Sequence, residues 1–251
     1  MNSIIGPLII STIAGLSTMI GSLVILFHLK EKHYNKFITL CLSFSIAIMI
    51  GISILDLIPE SFISCHHAYG LTKTIILLCI SFIVSILIIS MISKFMDKEG
   101  IKEDLYKLGI LNMFVLILHN LPEGIATFLS SYQDLNLGIK LGFAIMLHNI
   151  PEGISIAVPI YYATKSKFKA FKATFISGVA EPLGAILAFI FLKNYVSEIM
   201  ISVVLIVVAG LMISLSIQEL LPKALKYKEN KLLYIGLGSG VVIVIINMLL
   251  F

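Results

Sequence analysis

His119-Asn120-Leu121-Pro122-Glu123-Gly124-Ile125 lies inside an apolar run covering 108–131, and His148-Asn149-Ile150-Pro151-Glu152-Gly153-Ile154 lies inside the next run, 141–163. Six of the seven positions are identical in the two stretches. Each run is long enough to cross a bilayer, since a spanning helix needs about 20 mostly apolar residues at a rise of about 1.5 Å each. The chain thus carries one ionisable motif twice, at mid-depth, in two consecutive candidate spans. Consecutive spans cross in opposite directions, so the two copies are related by inversion.

Outward from this pair, the rest of the chain reads the same way. Runs at 4–27, 37–58, 74–93, 171–192, 199–221 and 232–251 bring the number of candidate spans to eight. Hydrophobic residues make up 59% of the 251 positions and charged residues 13%. Soluble domains carry about 25% charged residues, so the bilayer is the solvent that fits. The runs nearly fill the chain, which predicts one transmembrane domain, 1–251, without a soluble appendage. Their length and continuity imply helices rather than the ten-residue alternation of a barrel. The first run lacks a basic leader and a cleavage site and is longer than a signal-peptide core, so it is read as a retained span. The expected fold is an all-α integral membrane protein with eight transmembrane helices.

The cations are 18 Lys and no Arg. Lys30, Lys32 and Lys36 follow span one; Lys94, Lys98, Lys102 and Lys107 follow span three. Lys165, Lys167, Lys169 and Lys172 follow span five; Lys223, Lys226, Lys228 and Lys231 follow span seven. Only Lys73, Lys140 and Lys193 fall on the opposite side. The positive-inside rule then makes the lysine-rich side cytoplasmic and both termini extracytoplasmic, as in a multi-pass protein of the cytoplasmic membrane. Lysines scattered between spans do not form a basic domain, so no nucleic-acid partner is expected despite the net charge of +4. Cys41, Cys65 and Cys79 give neither a disulfide framework nor a thiolate metal site.

A second internal match joins spans two and seven. Met49-Ile50-Gly51-Ile52-Ser53-Ile54-Leu55-Asp56-Leu57-Ile58-Pro59 aligns with Met212-Ile213-Ser214-Leu215-Ser216-Ile217-Gln218-Glu219-Leu220-Leu221-Pro222. The Met, Ser, acid and Pro register carries the match; Ile and Leu are too common in apolar helices to count. Spans two and seven also run oppositely. The expected architecture is therefore three spans, a central pair and three spans, a 3+2+3 inverted-repeat arrangement. Transporters built this way hold their site at the repeat interface near mid-bilayer.

Ionisable residues inside the runs are few. His119, Glu123, His148, Glu152 and Glu181 lie deep, while Asp56 and Glu219 lie near span ends. A charge at mid-bilayer costs about 2.5–3.5 kcal/mol on insertion scales, so it needs a partner or a wet cavity. His119 and Glu123 are four apart and share one helix face, flanked by Asn120. His148, Asn149 and Glu152 repeat the pattern. Two such faces offer nitrogen and oxygen donors without thiolate, which suits Zn²⁺, Fe²⁺, Mn²⁺ or Co²⁺ better than Cu(I). The set suffices for two adjacent ions bridged by Glu123 and Glu152. A single buried His or Glu is often a packing feature, but two copies of one motif at mid-depth are not explained that way. Glu181, in Ala180-Glu181-Pro182-Leu183-Gly184, sits mid-run and joins the candidate ligands. Pro122 and Pro151 withdraw helical hydrogen bonds and free carbonyls at Leu118 and Leu147, which predicts broken helices at the site. Met49 is ordinarily core filler, but its match to Met212 makes it a candidate weak ligand. Asp56 at the outer mouth and Glu219 at the inner mouth would gather cations, or simply cap helix ends. Cys65-His66-His67 is expected in the outer loop, either solvated or capturing metal.

These residues resemble the ZIP family of metal-ion transporters, its bacterial zinc-uptake branch in particular. The resemblance is most specific in HNLPEGIATF, HNIPEGISIA, AEPLGA and the span-two stretch ending ILDLIPE. It implies eight helices with both termini outside, a two-metal centre between helices four and five, and a homodimer. One site would use His119, Glu123, His148 and Glu152 with Met49. The second would use Asn120, Asn149 and Glu181, with Glu123 and Glu152 bridging. The His-rich loop frequent in the family is absent from 94–107. The implied function is uptake of Zn²⁺ and related ions (Fe²⁺, Mn²⁺, Co²⁺, Cd²⁺) into the cytoplasm, with metal as cargo and no catalytic cofactor. A passive channel is the first alternative. An intramembrane metalloenzyme is the second, but it needs a motif such as HExxH with an open metal position, which is absent.

Overall fold

In the computed structural model, which describes residues 4–27, 31–98, 104–192 and 197–250, every apolar run forms a helix. Lys30, Lys102 and Lys193 and both chain ends lie outside the described residues. Among the described residues there is no strand, and eight helices are long and apolar enough to cross a membrane. They are α1 (Ile5–Leu26), α2 (Tyr34–Tyr69), α3 (Leu71–Asp97), α4 (Asp104–Gln133), α5 (Leu135–Thr164), α6 (Lys167–Phe191), α7 (Ile199–Lys226) and α8 (Asn230–Leu249).

Two expectations are corrected. The second span was expected to end at 58, with Cys65-His66-His67 in an outer loop. Instead α2 continues to Tyr69, and the three residues form its last turns, with Cys65 buried and the His66 ring stacked on Phe62 at 5.9 Å. A proline in a helix interior normally removes a hydrogen bond and collides with the preceding turn. Here Pro59 follows a π-helical segment, Ser53–Leu57, whose wider turn lets the helix resume, with Pro59 in its first turn. The helix stops only at Gly70, whose φ of 80° suits glycine. The same device recurs in α7, where Ser216–Leu220 is π-helical just before Pro222. The second correction concerns Pro122 and Pro151. Both lie within uninterrupted helices, so α4 and α5 pass through the motif without a break.

Packing follows the small residues. Extensive contacts join α4 to α5 and α6, α2 to α7 and α8, and α1 to α5 and α6. A Cβ on Gly124 would run into the Glu181 carbonyl oxygen, and one on Gly184 into that of Leu121, so α4 and α6 touch backbone to backbone. On the other side, a Cβ on Gly153 would meet the Thr18 carbonyl oxygen and one on Gly21 that of Ile150. Gly15 and Gly178 likewise face each other's carbonyl oxygens between α1 and α6. Lipid gives apolar helices no hydrophobic reason to associate, so close approach at small residues supplies the packing energy. The central pair α4 and α5 is thereby held between α1 and α6, with the doubled motif facing inward.

Candidate metal centre

The i, i+4 spacing in α4 and α5 turns His119, Glu123, His148 and Glu152 toward one another. All four are buried, as are Asn120, Asn149 and Glu181. His119 Nε2 lies 3.3 Å from Glu123 Oε1 and 3.3 Å from Glu152 Oε1. His148 Nε2 lies 2.9 Å from Glu123 Oε1. The two imidazole rings are 6.3 Å apart at 48°. Ligand atoms of His119, Glu123 and His148 fall within 4.8 Å of one another, close enough for one ion to touch all three.

The second tier is built from amides. Asn120 Nδ2 donates to the Ser177 carbonyl at 3.2 Å, and Asn149 Nδ2 donates to the Ala14 carbonyl at 2.9 Å. These bonds fix the amide orientation, because a flipped amide would set oxygen against oxygen. Asn149 Nδ2 also reaches Glu181 Oε2 at 2.9 Å. Besides His119 Nδ1 and Nε2 and His148 Nδ1, what remains unsatisfied at the site is carboxylate and amide oxygen. Asn120 Oδ1, Asn149 Oδ1, Glu123 Oε2, both Glu152 oxygens and Glu181 Oε1 are buried without a hydrogen-bond partner. Buried polar atoms ordinarily have partners, and leaving each unmade costs about 1–3 kcal/mol. A cluster in which acceptor oxygens outnumber the donors beside them is what a cation satisfies.

The sequence-predicted histidines, asparagines and glutamates thus come together, while the contact seen for Met49 is to α7. Met49 is fully buried, but its sulfur faces Ser216 Oγ at 3.9 Å, while Met212 Sδ accepts from Ser53 Oγ at 3.7 Å. Asp56 is exposed on the π segment of α2, within electrostatic reach of His148 and Glu123. Glu219 is half-buried on the matching segment of α7. The reading of the sequence missed the contribution of α1, whose Ala14 carbonyl orients Asn149. A signal was present: the register that pairs Met49 with Met212 also pairs Gly15 with Gly178 and Gly21 with Gly184.

Comparison with known proteins gives a consistent picture. Residues 102–247 match the family model described as ZIP zinc transporter. A "Zinc transporter ZupT" of Lysinibacillus sphaericus is 40% identical over 94% of this chain and 94% of its own length. Its namesake in Clostridium perfringens is 37% identical over 100% and 98% of the two chains. That of Chlorobium phaeovibrioides is 41% identical over 100% and 99%.

Proposed function

The chain belongs to the ZIP family of zinc transporters, and on that premise we propose that it takes up Zn²⁺ into the cytoplasm through the centre between α4 and α5. The observation that carries this is the buried, acceptor-rich His-Glu-Asn cluster inside a bundle of spanning helices. One ion would be held by His119, Glu123, His148 and Glu152, with Met49 as a weak ligand. A second is held by Asn120, Asn149 and Glu181, with Glu123 and Glu152 bridging the two. Mixed nitrogen and oxygen donors also admit Fe²⁺, Mn²⁺, Co²⁺ and Cd²⁺.

Ions enter past Asp56 and leave past Glu219. The lysine asymmetry supports cytoplasmic loops after α1, α3, α5 and α7, with both termini outside. The reciprocal glycine contacts and the paired Ser–Met contacts support the inverted 3+2+3 arrangement in a single domain, and with it alternating access. The homodimer rests on the family resemblance alone, and a mass measurement on the detergent-solubilised protein decides it.

The test is flux into liposomes loaded with a zinc indicator. The parent chain gives uptake that saturates with Zn²⁺, and Glu123→Ala with Glu152→Ala abolishes it. No flux, or flux indifferent to the double variant, ends the transport reading. Flux that rises linearly with Zn²⁺ at high turnover makes the protein a channel instead of a carrier. Repeating the assay across a pH gradient reads out proton coupling, since metal displaces protons from its ligands.

A further inference from the structure

We propose that the Thr18 hydroxyl on α1 is a further ligand of the second ion, directly or through one water, on the side opposite Glu181. The proposal rests on the two-ion reading above. It starts from a buried atom with nothing to do. Thr18 is fully buried and its Oγ1 has no hydrogen-bond partner. Four threonines in these helices bond back to the carbonyl four residues earlier, Thr12 to Leu8, Thr74 to Gly70, Thr164 to Ile160 and Thr174 to Ala170, while Thr39 reaches the Ala224 carbonyl and Thr127, like Thr18, has no partner. The carbonyl Thr18 would use belongs to Ala14, and that oxygen already accepts from Asn149 Nδ2 at 2.9 Å and Ser17 Oγ at 2.6 Å. The hydroxyl is therefore left over in a dry interior, where an unmade bond is costly.

Where that hydroxyl sits follows from contacts that occur in matched pairs. Gly124 abuts the Glu181 carbonyl, and Gly153 abuts the Thr18 carbonyl. Gly184 abuts the Leu121 carbonyl, and Gly21 abuts the Ile150 carbonyl. Asn120 Nδ2 donates to Ser177, and Asn149 Nδ2 donates to Ala14. A Cβ on Gly15 would meet the Glu181 Cβ, and a Cβ on Gly178 would come within 3.4 Å of the Thr18 Cβ. In the two pairs that contain them Thr18 is the counterpart of Glu181, and the other two pairs keep the same register. Glu181 Oε2 reaches Asn149, the amide of the opposite motif. The same relation carries Thr18 toward Asn120, whose Oδ1 is also buried and unpartnered. Two acceptor-capable oxygens, both dry and both free, then face Glu181 across the seat between the amides. A neutral hydroxyl is the apt counterpart there: it adds a hard oxygen donor without a further negative charge beside Glu123, Glu152 and Glu181.

Equilibrium dialysis of the purified full-length protein against buffered Zn²⁺ tests this without reference to transport. The parent binds two ions, the weaker at the oxygen-only seat. Thr18→Val keeps the shape but removes the hydroxyl. It is expected to weaken that ion about tenfold, the range for loss of one supporting ligand, and to leave the tighter ion unchanged. Thr18→Ser is expected to bind like the parent, and Glu181→Gln to weaken the same ion as Thr18→Val. A Thr18→Val protein that binds both ions like the parent overturns the proposal. So does one in which both ions weaken alike, or one matched in its defect by Thr18→Ser, since packing alone would then be the cause. If Glu181→Gln leaves both ions untouched, the two-ion reading itself has failed, and Thr18 falls with it. If Glu181→Gln weakens one ion and Thr18→Val weakens neither, only the Thr18 assignment falls.

Discussion

At the scale of single residues, the proposed centre distinguishes groups placed to coordinate from a group placed to attract. His119, Glu123, His148 and Glu152 are within contact distance of one another and out of water, so their effect is on binding itself. Anything that binds the folded state alone stabilises it, by about 2.7 kcal/mol at a hundred times its dissociation constant. Saturating Zn²⁺ is therefore expected to raise the thermal unfolding midpoint of the parent by several degrees. Glu123→Ala with Glu152→Ala should erase that rise, as differential scanning fluorimetry in detergent would show. A rise that survives in the double variant would move the binding site elsewhere. Asp56 works differently. It is exposed, and it stands within electrostatic reach of His148 and Glu123. Asp56→Asn should reduce uptake several-fold at low Zn²⁺ and little at saturation, and the deficit should shrink as salt rises and screens the charge. Initial rates in proteoliposomes at two ionic strengths check this. A loss of maximal rate that salt does not touch would make Asp56 a ligand.

At the scale of elements, the helix crossings set how closely the two motifs approach. Gly124 and Gly153 sit where a neighbouring backbone leaves no room, whereas nothing lies within 4 Å of a Cβ built on Gly238 of α8. Gly124→Ala and Gly153→Ala should each cost about 3 kcal/mol, the upper end for an overpacked methyl, and should also weaken Zn²⁺ binding by moving α6 or α1. Gly238→Ala should be neutral, or slightly stabilising, in the same melting assay. Equal behaviour of all three would mean that the close crossings do not hold the bundle. The crossings also show what the sequence could and could not convey. The helices and the doubled motif were legible because bilayer length and i, i+4 spacing are local rules. The fate of the prolines was not. Pro59 and Pro222 read as span ends, yet each follows a π segment that absorbs the lost bond, and both helices run on. Pro122 and Pro151 read as breaks, yet α4 and α5 stay continuous. Whether a proline ends, widens or merely weakens a helix depends on what packs against the turn before it, and that is a tertiary fact. The role of α1 was hidden for the same reason: Ala14 contributes a carbonyl, which every residue has.

At the scale of the whole molecule, direction is the property on which uptake depends. A binding centre between α4 and α5 moves metal inward only if Asp56 opens to the outside and Glu219 to the cytoplasm. The lysines carry that assignment. Cytoplasmic loops of bacterial membrane proteins hold an excess of positive charge within about 15–20 residues of the spans, and here the excess falls after α1, α3, α5 and α7. A chain with Cys41, Cys65 and Cys79 replaced by serine provides the background for single probes at the loops. Lys73→Cys and Lys140→Cys should react with a membrane-impermeant maleimide in intact cells. Lys36→Cys and Lys228→Cys should react only after permeabilisation. Each site has a lysine today, so a hydrophilic probe there disturbs no packed face; Cys65 is buried and Cys79 exposed on α3, so both must be removed first. The opposite labelling pattern would place Glu219 outside, reverse entrance and exit, and turn the same centre into an exporter. Labelling of all four sites in intact cells would instead break the count of eight, because no even alternation of spans leaves every loop on one side.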